Sequence, residues 1–209
     1  TYQSEFPGIE LHLIEGNSSE LANDLLHGTI DLMIDLLPFT AENVDTVPIC
    51  QEEILLVVPD EVLKKAHPDG WDELRKKMEQ GADVRLLENC PFVLLNKGNR
   101  VRTIADEIFE DAQVTPHIAL ETENIETALA LSVKGMGITF YPRMFMSPDH
   151  AANTNKNPLT HQTGLNLYPL NYSRAHGTLG LGYHKGHYMS RATHEFIRIA
   201  LERIPYKND

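Results

Sequence analysis

Short apolar runs and amphipathic helical stripes alternate through the middle of this chain, and this alternation constrains the fold more than any other feature of the sequence. An apolar run at residues 92–95 precedes a helical stripe, and a second run follows at residues 118–120. Asn124 can then cap another helix, Gly135 can end it, and residues 138–140 predict the next strand. Strands separated by single helices form right-handed βαβ units with parallel strands, so the sequence predicts an α/β fold.

A second group of alternating elements lies near the start of the chain. Residues 9–14 alternate apolar and polar side chains with the two-residue period of a strand that has one wet face. Asn17 and Glu20 have the spacing of a capping box, and the helix that they begin stops at Gly28, before an apolar run at residues 32–34. This group predicts another βαβ unit.

The two groups are separated by a polar stretch at residues 60–89, which indicates two lobes. A long polar loop is predicted at residues 146–162. Strand patterns return at residues 165–170 and 179–183, and the chain ends in a helix that begins at Ser190.

The composition excludes several classes of function. Thirty Asp and Glu against 18 Lys and Arg give a net charge of −12, so this chain alone is not expected to bind DNA. The longest apolar runs fall far short of the roughly 20 residues of a membrane-spanning helix, and residues 1–5 carry no secretory signal. Cys50 and Cys90 lack metal-ligand spacing, and we expect two buried, reduced thiols in a cytoplasmic protein.

The common catalytic and cofactor motifs are absent from the sequence. Gly177, Gly180 and Gly182 have the reverse spacing of a dinucleotide fingerprint and precede no helix in the required place, so we interpret them as loop and strand glycines. The densest histidine group, at residues 184–194, is divided between a turn and a helix, which favours solvated side chains over a metal site. We therefore expect no catalytic residue, no metal and no cofactor.

A basic loop connects the apolar run at residues 92–95 to the next helix. Its candidate ligand-binding residues are Asn96, Gly98, Asn99, Arg100 and Arg102. A parallel strand that ends at the N-terminus of a helix favours a bound anion. The alternative is a solvated loop in which Arg100 and Arg102 pair with Asp106 or Glu107. The candidates at the other strand ends, each of which alternatively serves as a cap or turn residue, are Leu37, Pro38, Thr122, Asn124 and Pro142.

Five short sequence blocks, taken in their order and intervals, carry a specific resemblance. They are Phe6-Pro7-Gly8-Ile9 with Glu15-Gly16, Glu53-Ile54-Leu55-Leu56-Val57-Val58-Pro59, Pro91-Phe92-Val93, Val133-Lys134-Gly135-Met136-Gly137-Ile138, and Tyr183-His184-Lys185-Gly186. Together they resemble the effector-binding domain of LysR-type transcriptional regulators over nearly the whole chain.

The resemblance implies two Rossmann-like α/β subdomains of the type 2 periplasmic-binding-protein fold, joined by crossover segments, with a small effector in the cleft between them. Subdomain I would comprise residues 1–89 and 180–209, and subdomain II residues 90–179. The strand and helix that normally precede the Phe6-Pro7-Gly8 block are missing from this sequence. Subdomain I is therefore expected to have an incomplete sheet or to borrow a strand. By analogy the cleft residues are Leu37, Pro38, Asn96, Gly98, Arg100, Thr122, Asn124 and Pro142.

On this basis we expect a cytoplasmic sensor domain of a LysR-type regulator that binds a small anionic metabolite without catalysis. DNA would be bound only through a helix-turn-helix domain outside this sequence, in a homodimer or higher homo-oligomer. Two rivals remain open: an extracytoplasmic solute-binding protein of a transporter, and an enzyme on the same scaffold, such as prephenate dehydratase. Asn99-Arg100-Val101 does not match the Thr-Arg-Phe signature of that enzyme, which disfavours the second rival.

Overall fold

The computed structural model describes residues 2–39, 41–146 and 164–204. The chain forms two compact units: Thr1–Gln51 with Gly177–Asp209, and Glu52–His176. It passes from the first unit to the second at Gln51 and returns at His176. The sequence placed residues 52–89 in the first subdomain, whereas here they pack in the second unit.

The first unit contains a small antiparallel sheet and three helices. Strand β1 lies at its edge, next to β7, which in turn neighbours the first half of the long strand β2. The helices are α1 (Tyr2–Glu5), α2 (Ser18–His27) and α7 (Arg191–Arg203), and the strands are β1 (Met33–Leu36), β2 (Val44–Pro59) and β7 (His176–His184).

Helix α2 has the ends that the sequence predicts. The Asn17 side chain accepts a hydrogen bond from the Glu20 amide at 2.9 Å, and the Glu20 carboxylate accepts one from the Asn17 amide at 3.4 Å. This capping box satisfies two N–H groups that the first turn leaves without helical partners. Gly28 ends the helix in the left-handed region at φ 73°, which a residue with a Cβ rarely adopts.

The strand predicted at residues 9–14 is wrong, because this segment belongs to no strand or helix. The parallel βαβ unit predicted around it is therefore not formed. A strand needs a partner for its backbone groups, and β1, the expected neighbour in that unit, pairs antiparallel with β7 instead. The alternating side-chain pattern is present in the sequence, but residues 9–14 pair with no strand among the described residues.

The glycines of β7 permit close packing, as their interpretation as strand glycines predicts. A Cβ on Gly182 would lie 2.2 Å from the Phe39 ring, and a Cβ on Gly180 would lie 2.9 Å from the Leu37 side chain. These contacts place the segment after β1 directly against β7. Gly180 and Gly182 thus have a packing role.

The second unit follows the predicted alternation. Its strands are the second half of β2, β3 (Pro91–Leu95), β4 (His117–Thr122), β5 (Thr139–Pro142) and β6 (Leu165–Pro169). Its helices are α3 (Asp60–Ala66), α4 (Trp71–Met78), α5 (Arg100–Ala112) and α6 (Ile125–Val133). Among the described residues of this unit, the 3-10 helices are Val84–Leu87, Arg143–Met146 and Ser173–Ala175.

Strand pairing explains where the second unit begins. Strands β3 and β4 are parallel, as predicted. Ile138 pairs with β3: its amide donates a hydrogen bond to the Pro91 carbonyl, and its carbonyl accepts one from the Val93 amide, both at 2.8 Å. The second half of β2 pairs antiparallel with both β5 and β6. Because these partners belong to the second unit, the boundary lies within β2 and not after the polar stretch.

The core of the second unit is aromatic at its centre. Phe92, Phe109 and Phe140 have ring centroids between 5.0 and 6.3 Å apart, and all three side chains are buried. Phe109 belongs to the apolar stripe predicted for α5, which is confirmed as the buried face of that helix. The stripe fixes the rotation of α5 and therefore decides which of its polar residues face outward.

Two further findings concern cysteines and membrane spans. Cys90 is buried, Cys50 is half-buried, and the two are not joined in a disulfide. None of the helices among the described residues has both the length and the apolar character needed to cross a bilayer.

Candidate functional site

The carboxyl ends of β3 and β4 meet in the second unit. The Asn96 amide, just beyond β3, donates a hydrogen bond of 2.8 Å to the carbonyl of Thr122, the last residue of β4. Helix α5 begins four residues after Asn96, and α6 begins three residues after Thr122. We name this region the β3–β4 edge, and its predicted ligand-binding residues are Asn96, Gly98, Asn99, Arg100, Thr122 and Asn124.

Two asparagines of the β3–β4 edge cap the helices that start there. The Asn99 side chain accepts a hydrogen bond from the Val101 amide at 2.9 Å, and the Asn124 side chain accepts one from the Thr127 amide at 3.0 Å. The capping role predicted for Asn124 is confirmed. The N-termini of α5 and α6, each with a partial positive charge, therefore lie beyond neighbouring strand ends.

Arg100 is the first residue of α5 and supplies a full positive charge at the β3–β4 edge. Its side chain is half-buried, and its Nε is shielded from solvent without a hydrogen-bond partner among the described residues. Gly98, at φ 94°, lets the loop turn back before the helix. Arg100 can thus offer a charge-assisted hydrogen bond to an anion.

Arg102 has a structural role, which corrects its prediction as a ligand contact. It is 4% exposed and donates to the Asp106 carboxylate at 2.8 Å, to the Leu95 carbonyl at 2.6 Å, and to the Glu121 carboxylate. Burial disfavours its charge, but the bonds to Asp106 and Glu121 outweigh this effect and raise the pKa of Arg102. The alternative of pairing with Asp106 is therefore correct for Arg102 alone.

The remaining candidates occupy other strand ends. Pro142 is buried at the end of β5. It lies four residues after Ile138, which forms a β-bridge with Phe92, and Asn96 likewise lies four residues after Phe92. Leu37 and Pro38 follow β1 in the first unit and are joined by a cis peptide bond. The Leu37 amide donates to the Thr178 carbonyl of β7 at 2.8 Å.

Sequence reasoning missed two acidic residues at the β3–β4 edge. Glu121 pairs with Arg102, and Glu126, in the first turn of α6, accepts a hydrogen bond of 2.5 Å from the Tyr141 hydroxyl. Burial and this contact raise the pKa of Tyr141. Glu121 directly precedes the predicted site residue Thr122 in the sequence, and this position could have indicated that it lies at the β3–β4 edge. These carboxylates make the edge less basic than the loop sequence indicates.

Two of the cavities lined by described residues lie away from this edge, one in each unit. The cavity in the second unit measures about 250 Å³ and is lined by residues that include Asp60, Lys64 and Val133. The first unit contains a groove of about 1040 Å³ between residues 9–14 and residues 29–34. The described residues contain no group of three or more His, Cys, Asp and Glu that could hold a metal ion.

A family model described as the LysR substrate binding domain matches residues 1–205. Among individual proteins, the uncharacterized HTH-type transcriptional regulator YcgK of Bacillus subtilis (strain 168) is 27% identical over 149 residues, which are 68% of this chain and 46% of that protein. The chain spans about half the length of the curated relatives it matches.

Solved structures show the same fold. The regulatory domain of CcmR from Synechocystis PCC6803, in complex with 2-PG, matches with a TM-score of 0.75 and 17% identity, covering 98% of this chain and 88% of that one. The effector-binding domain of QuiR in complex with shikimate matches with a TM-score of 0.71 and 18% identity, covering 97% and 88%. Two different ligands are thus bound by domains of this fold.

Proposed function

Because this chain belongs to the LysR substrate-binding domain family, we propose that it is the ligand-sensing domain of a transcription regulator and binds a small anion at the β3–β4 edge. Its relatives are HTH-type transcriptional regulators, and domains of the same fold have been solved with 2-PG and with shikimate. Proteins of one fold can have many different functions, so the proposal has to rest on the residues of the β3–β4 edge.

The observation that carries the proposal is the position of Arg100. Arg100 is the first residue of α5, and its Nε is without a partner among the described residues; α6 begins just beyond the neighbouring strand end. Two helix N-termini and the positive charge of Arg100 favour an anion at this edge.

The neighbouring side chains narrow the class of ligand. The side-chain amide of Asn96 and the Thr122 hydroxyl can each donate and accept hydrogen bonds, which suits a ligand that carries hydroxyl groups beside its charge. Glu121 and Glu126 limit the excess positive charge, which disfavours a polyanion. The proposed ligand is therefore a small hydroxylated organic acid or phosphate. Leu37, Pro38 and Pro142 stay predicted contacts for its uncharged part.

Ligand binding would act on the regulator by changing the population of its conformations. A ligand shifts such an equilibrium only by its difference in affinity for the two states. The proposal includes DNA binding through a helix-turn-helix domain outside residues 1–209, assembly as a homo-oligomer, a cytoplasmic location, and no catalysed reaction. The support for this extension is that the curated relatives are HTH-type regulators about one and a half times as long as this chain.

The test is a thermal-shift screen of small carboxylates and organic phosphates, followed by calorimetric titration of the strongest binder. A ligand that binds only the native state raises the melting temperature. Arg100→Ala should weaken binding of that compound about tenfold or more, which corresponds to the loss of one charge-assisted hydrogen bond.

Arg191→Ala is the matched control. Arg191, like Arg100, is the first residue of a 13-residue helix with a polar cap, Ser190 in this case. The control should bind as the wild type does. Unchanged affinity in Arg100→Ala, or an equal loss in both variants, would contradict the proposed site.

A further inference from the structure

Glu52, in β2, is a buried acidic residue. It is 5% exposed, and among the described residues Arg102 is the other charged residue that is buried. Arg102 is compensated, because it pairs with two carboxylates. The cation whose charge acts on Glu52 is Arg143, but the Arg143 side chain pairs with Glu53 at 2.5 Å instead. Glu52 is therefore a buried acid that has no bonded cation among the described residues.

The two carboxyl oxygens of Glu52 have different surroundings. Oε1 accepts hydrogen bonds from the backbone amides of Glu53 at 2.8 Å and Met144 at 3.2 Å. Oε2 is shielded from solvent and has no hydrogen-bond partner among the described residues. An ionised carboxylate distributes its charge over both oxygens, so one of them would carry charge without a donor. The protonated carboxyl leaves only a neutral O–H group unpaired, which costs much less.

Burial and hydrogen bonding act on Glu52 in opposite directions. Burial disfavours the ionised form and is the largest effect. The backbone amides of Glu53, Met144 and Arg143, together with the charge of Arg143, favour the ionised form. Because burial outweighs these contacts, the pKa of Glu52 is raised. The neutral carboxyl is thus the form that this arrangement stabilises.

The charged groups next to the Glu52 carboxyl come from two elements. From β2 itself the group is Glu53, and from the 3-10 helix Arg143–Met146 it is Arg143. Successive residues of a strand point to opposite faces, so Glu52 and Glu53 lie on opposite faces of β2. The Arg143 guanidinium is bonded to Glu53. Ionised Glu52 would therefore need another donor, because this cation is already paired.

The Glu52 carboxyl connects β2 to the segment that follows β5. Ile54 of β2 pairs with Pro142, the last residue of β5. Glu52 lies two residues before Ile54, and Met144 lies two residues after Pro142, so their hydrogen bond continues the register of the antiparallel pair. None of the residues 143–146 is buried, whereas the following part of β2 lies in the core. The 3-10 helix can consequently move away from β2 without exposing core side chains of its own.

We infer that Glu52 is a pH-dependent switch in which the neutral carboxyl keeps the 3-10 helix Arg143–Met146 packed on β2, and ionisation opens this contact to water. Water in the opened form supplies Oε2 with the hydrogen-bond donors that it lacks in the closed form. This inference does not depend on the proposed function, because it concerns only the contact of β2 with residues 143–146 and involves no ligand.

Urea denaturation of the wild type and of Glu52→Gln between pH 4 and pH 7 tests the switch. Gln keeps the acceptor oxygen and the shape of the side chain but is neutral at every pH. A carboxyl whose pKa is higher in the folded state stabilises that state fully below its unfolded pKa of 4.5, and this contribution is lost as pH rises through the folded pKa. The unfolding equilibrium constant of the wild type, divided by that of Glu52→Gln, should therefore rise about fivefold or more over this range. A smaller change overturns the inference.

Glu107→Gln is the matched control. Glu107 belongs to the same unit, but its side chain is 32% exposed and pairs with Arg174 at 3.1 Å. Because its carboxylate has both a cation and solvent, the same ratio for this variant should change by less than about twofold from pH 4 to pH 7. An equal rise in both ratios would show that the burial of Glu52 is not the cause, and would also overturn the inference.

Amide hydrogen exchange provides a readout in the wild type alone, which remains valid if Glu52→Gln folds poorly. The Met144 amide donates to Glu52, whereas the Ala82 amide, in the same unit, donates to the Pro169 carbonyl at 2.7 Å. After correction for the intrinsic pH dependence of exchange, the protection of Met144 should fall at least about fivefold from pH 4 to pH 7, and more than that of Ala82. Protection of Met144 that stays constant, or that only follows the protection of Ala82, overturns the inference.

Discussion

The Arg102 guanidinium donates a hydrogen bond of 2.6 Å to the backbone carbonyl of Leu95, the last residue of β3. This bond ties the first turn of α5 to the strand that precedes it and positions the loop between them. Arg102 therefore holds the start of α5 against the end of β3, while Arg100, two residues earlier, is only half-buried.

Arg102→Met should destabilise the protein. The variant keeps the volume of the side chain but leaves the Leu95 carbonyl and the carboxylates of Asp106 and Glu121 without their donor. Since both carboxylates are half-exposed, we expect a loss of about 1–3 kcal/mol in the free energy of unfolding, measured by urea denaturation.

Arg198→Met is the control for this experiment. Arg198 also pairs with a glutamate four residues further along its helix, at 2.7 Å, but its side chain is 47% exposed. Exposed pairs contribute little to stability, so its unfolding midpoint should stay close to that of the wild type. Equal midpoints for the two variants would show that Arg102 does not have the supporting role.

Asp83 should make the stability of the second unit depend on pH in the acidic range. Bonds from the Arg85 side chain, and a hydrogen bond of 2.7 Å from the Tyr172 hydroxyl, lower the pKa of Asp83 to about 2. A carboxyl whose pKa is lower in the folded state stabilises it above its unfolded pKa, and this contribution is lost as pH falls through about 4 to 2.

Asp83→Asn removes this contribution. The variant should be less stable than the wild type by about 1 kcal/mol at pH 6, and the difference should vanish near pH 2. Urea denaturation at several pH values measures it. A difference that is the same at pH 6 and pH 2 would contradict the assignment.

Gly137→Ala should destabilise the parallel arrangement of the second unit. A Cβ at this position would lie 2.8 Å from the carbonyl oxygen of Pro91, which is backbone and accepts the hydrogen bond of the Ile138 amide. We expect a loss of about 1–3 kcal/mol in thermal or chemical denaturation. Gly8→Ala is the control, because a Cβ there meets nothing within 4 Å. Comparable stability of the two variants would show that the contact relaxes without cost.

Cys90 should be unreactive in the native protein. Burial raises the pKa of the Cys90 thiol to about 11, so the thiolate fraction at pH 8 is very small. An aromatic disulfide reagent should titrate at most one thiol rapidly, that of the half-buried Cys50, and the second only in denaturant. Cys90→Ala should leave the rapid phase unchanged. Rapid native reaction of both thiols would be the contradicting result.

Local sequence signals determined the ends of helices in both units. The caps at Asn17 and Asn124 are satisfied within three residues, so the sequence contains all the groups that they need. Gly135 ends α6 at φ 74°, with the Met136 amide bonded to the Leu131 carbonyl at 3.2 Å, and these groups are also local. Helical periodicity predicted the buried face of α5 for the same reason.

The pairing of strands was decided by tertiary structure. Residues 9–14 have the alternation of a strand, yet they form none here, since a strand depends on a neighbour that is distant in sequence. The boundary between the units was also decided by pairing with distant strands, because β2 pairs with β7 in its first half and with β5 and β6 in its second.

The roles of Arg100 and Arg102 show, within a single helix, what the sequence determined and what the tertiary structure determined. The sequence determined that both arginines stand at the start of α5, and on that basis they were equivalent candidates. Two residues apart on a helix, they point about 200° away from each other. Only the packing of α5 on β3 and β4 determined that Arg102 is buried against Leu95 and Glu121, and that Arg100 keeps an Nε without a partner among the described residues.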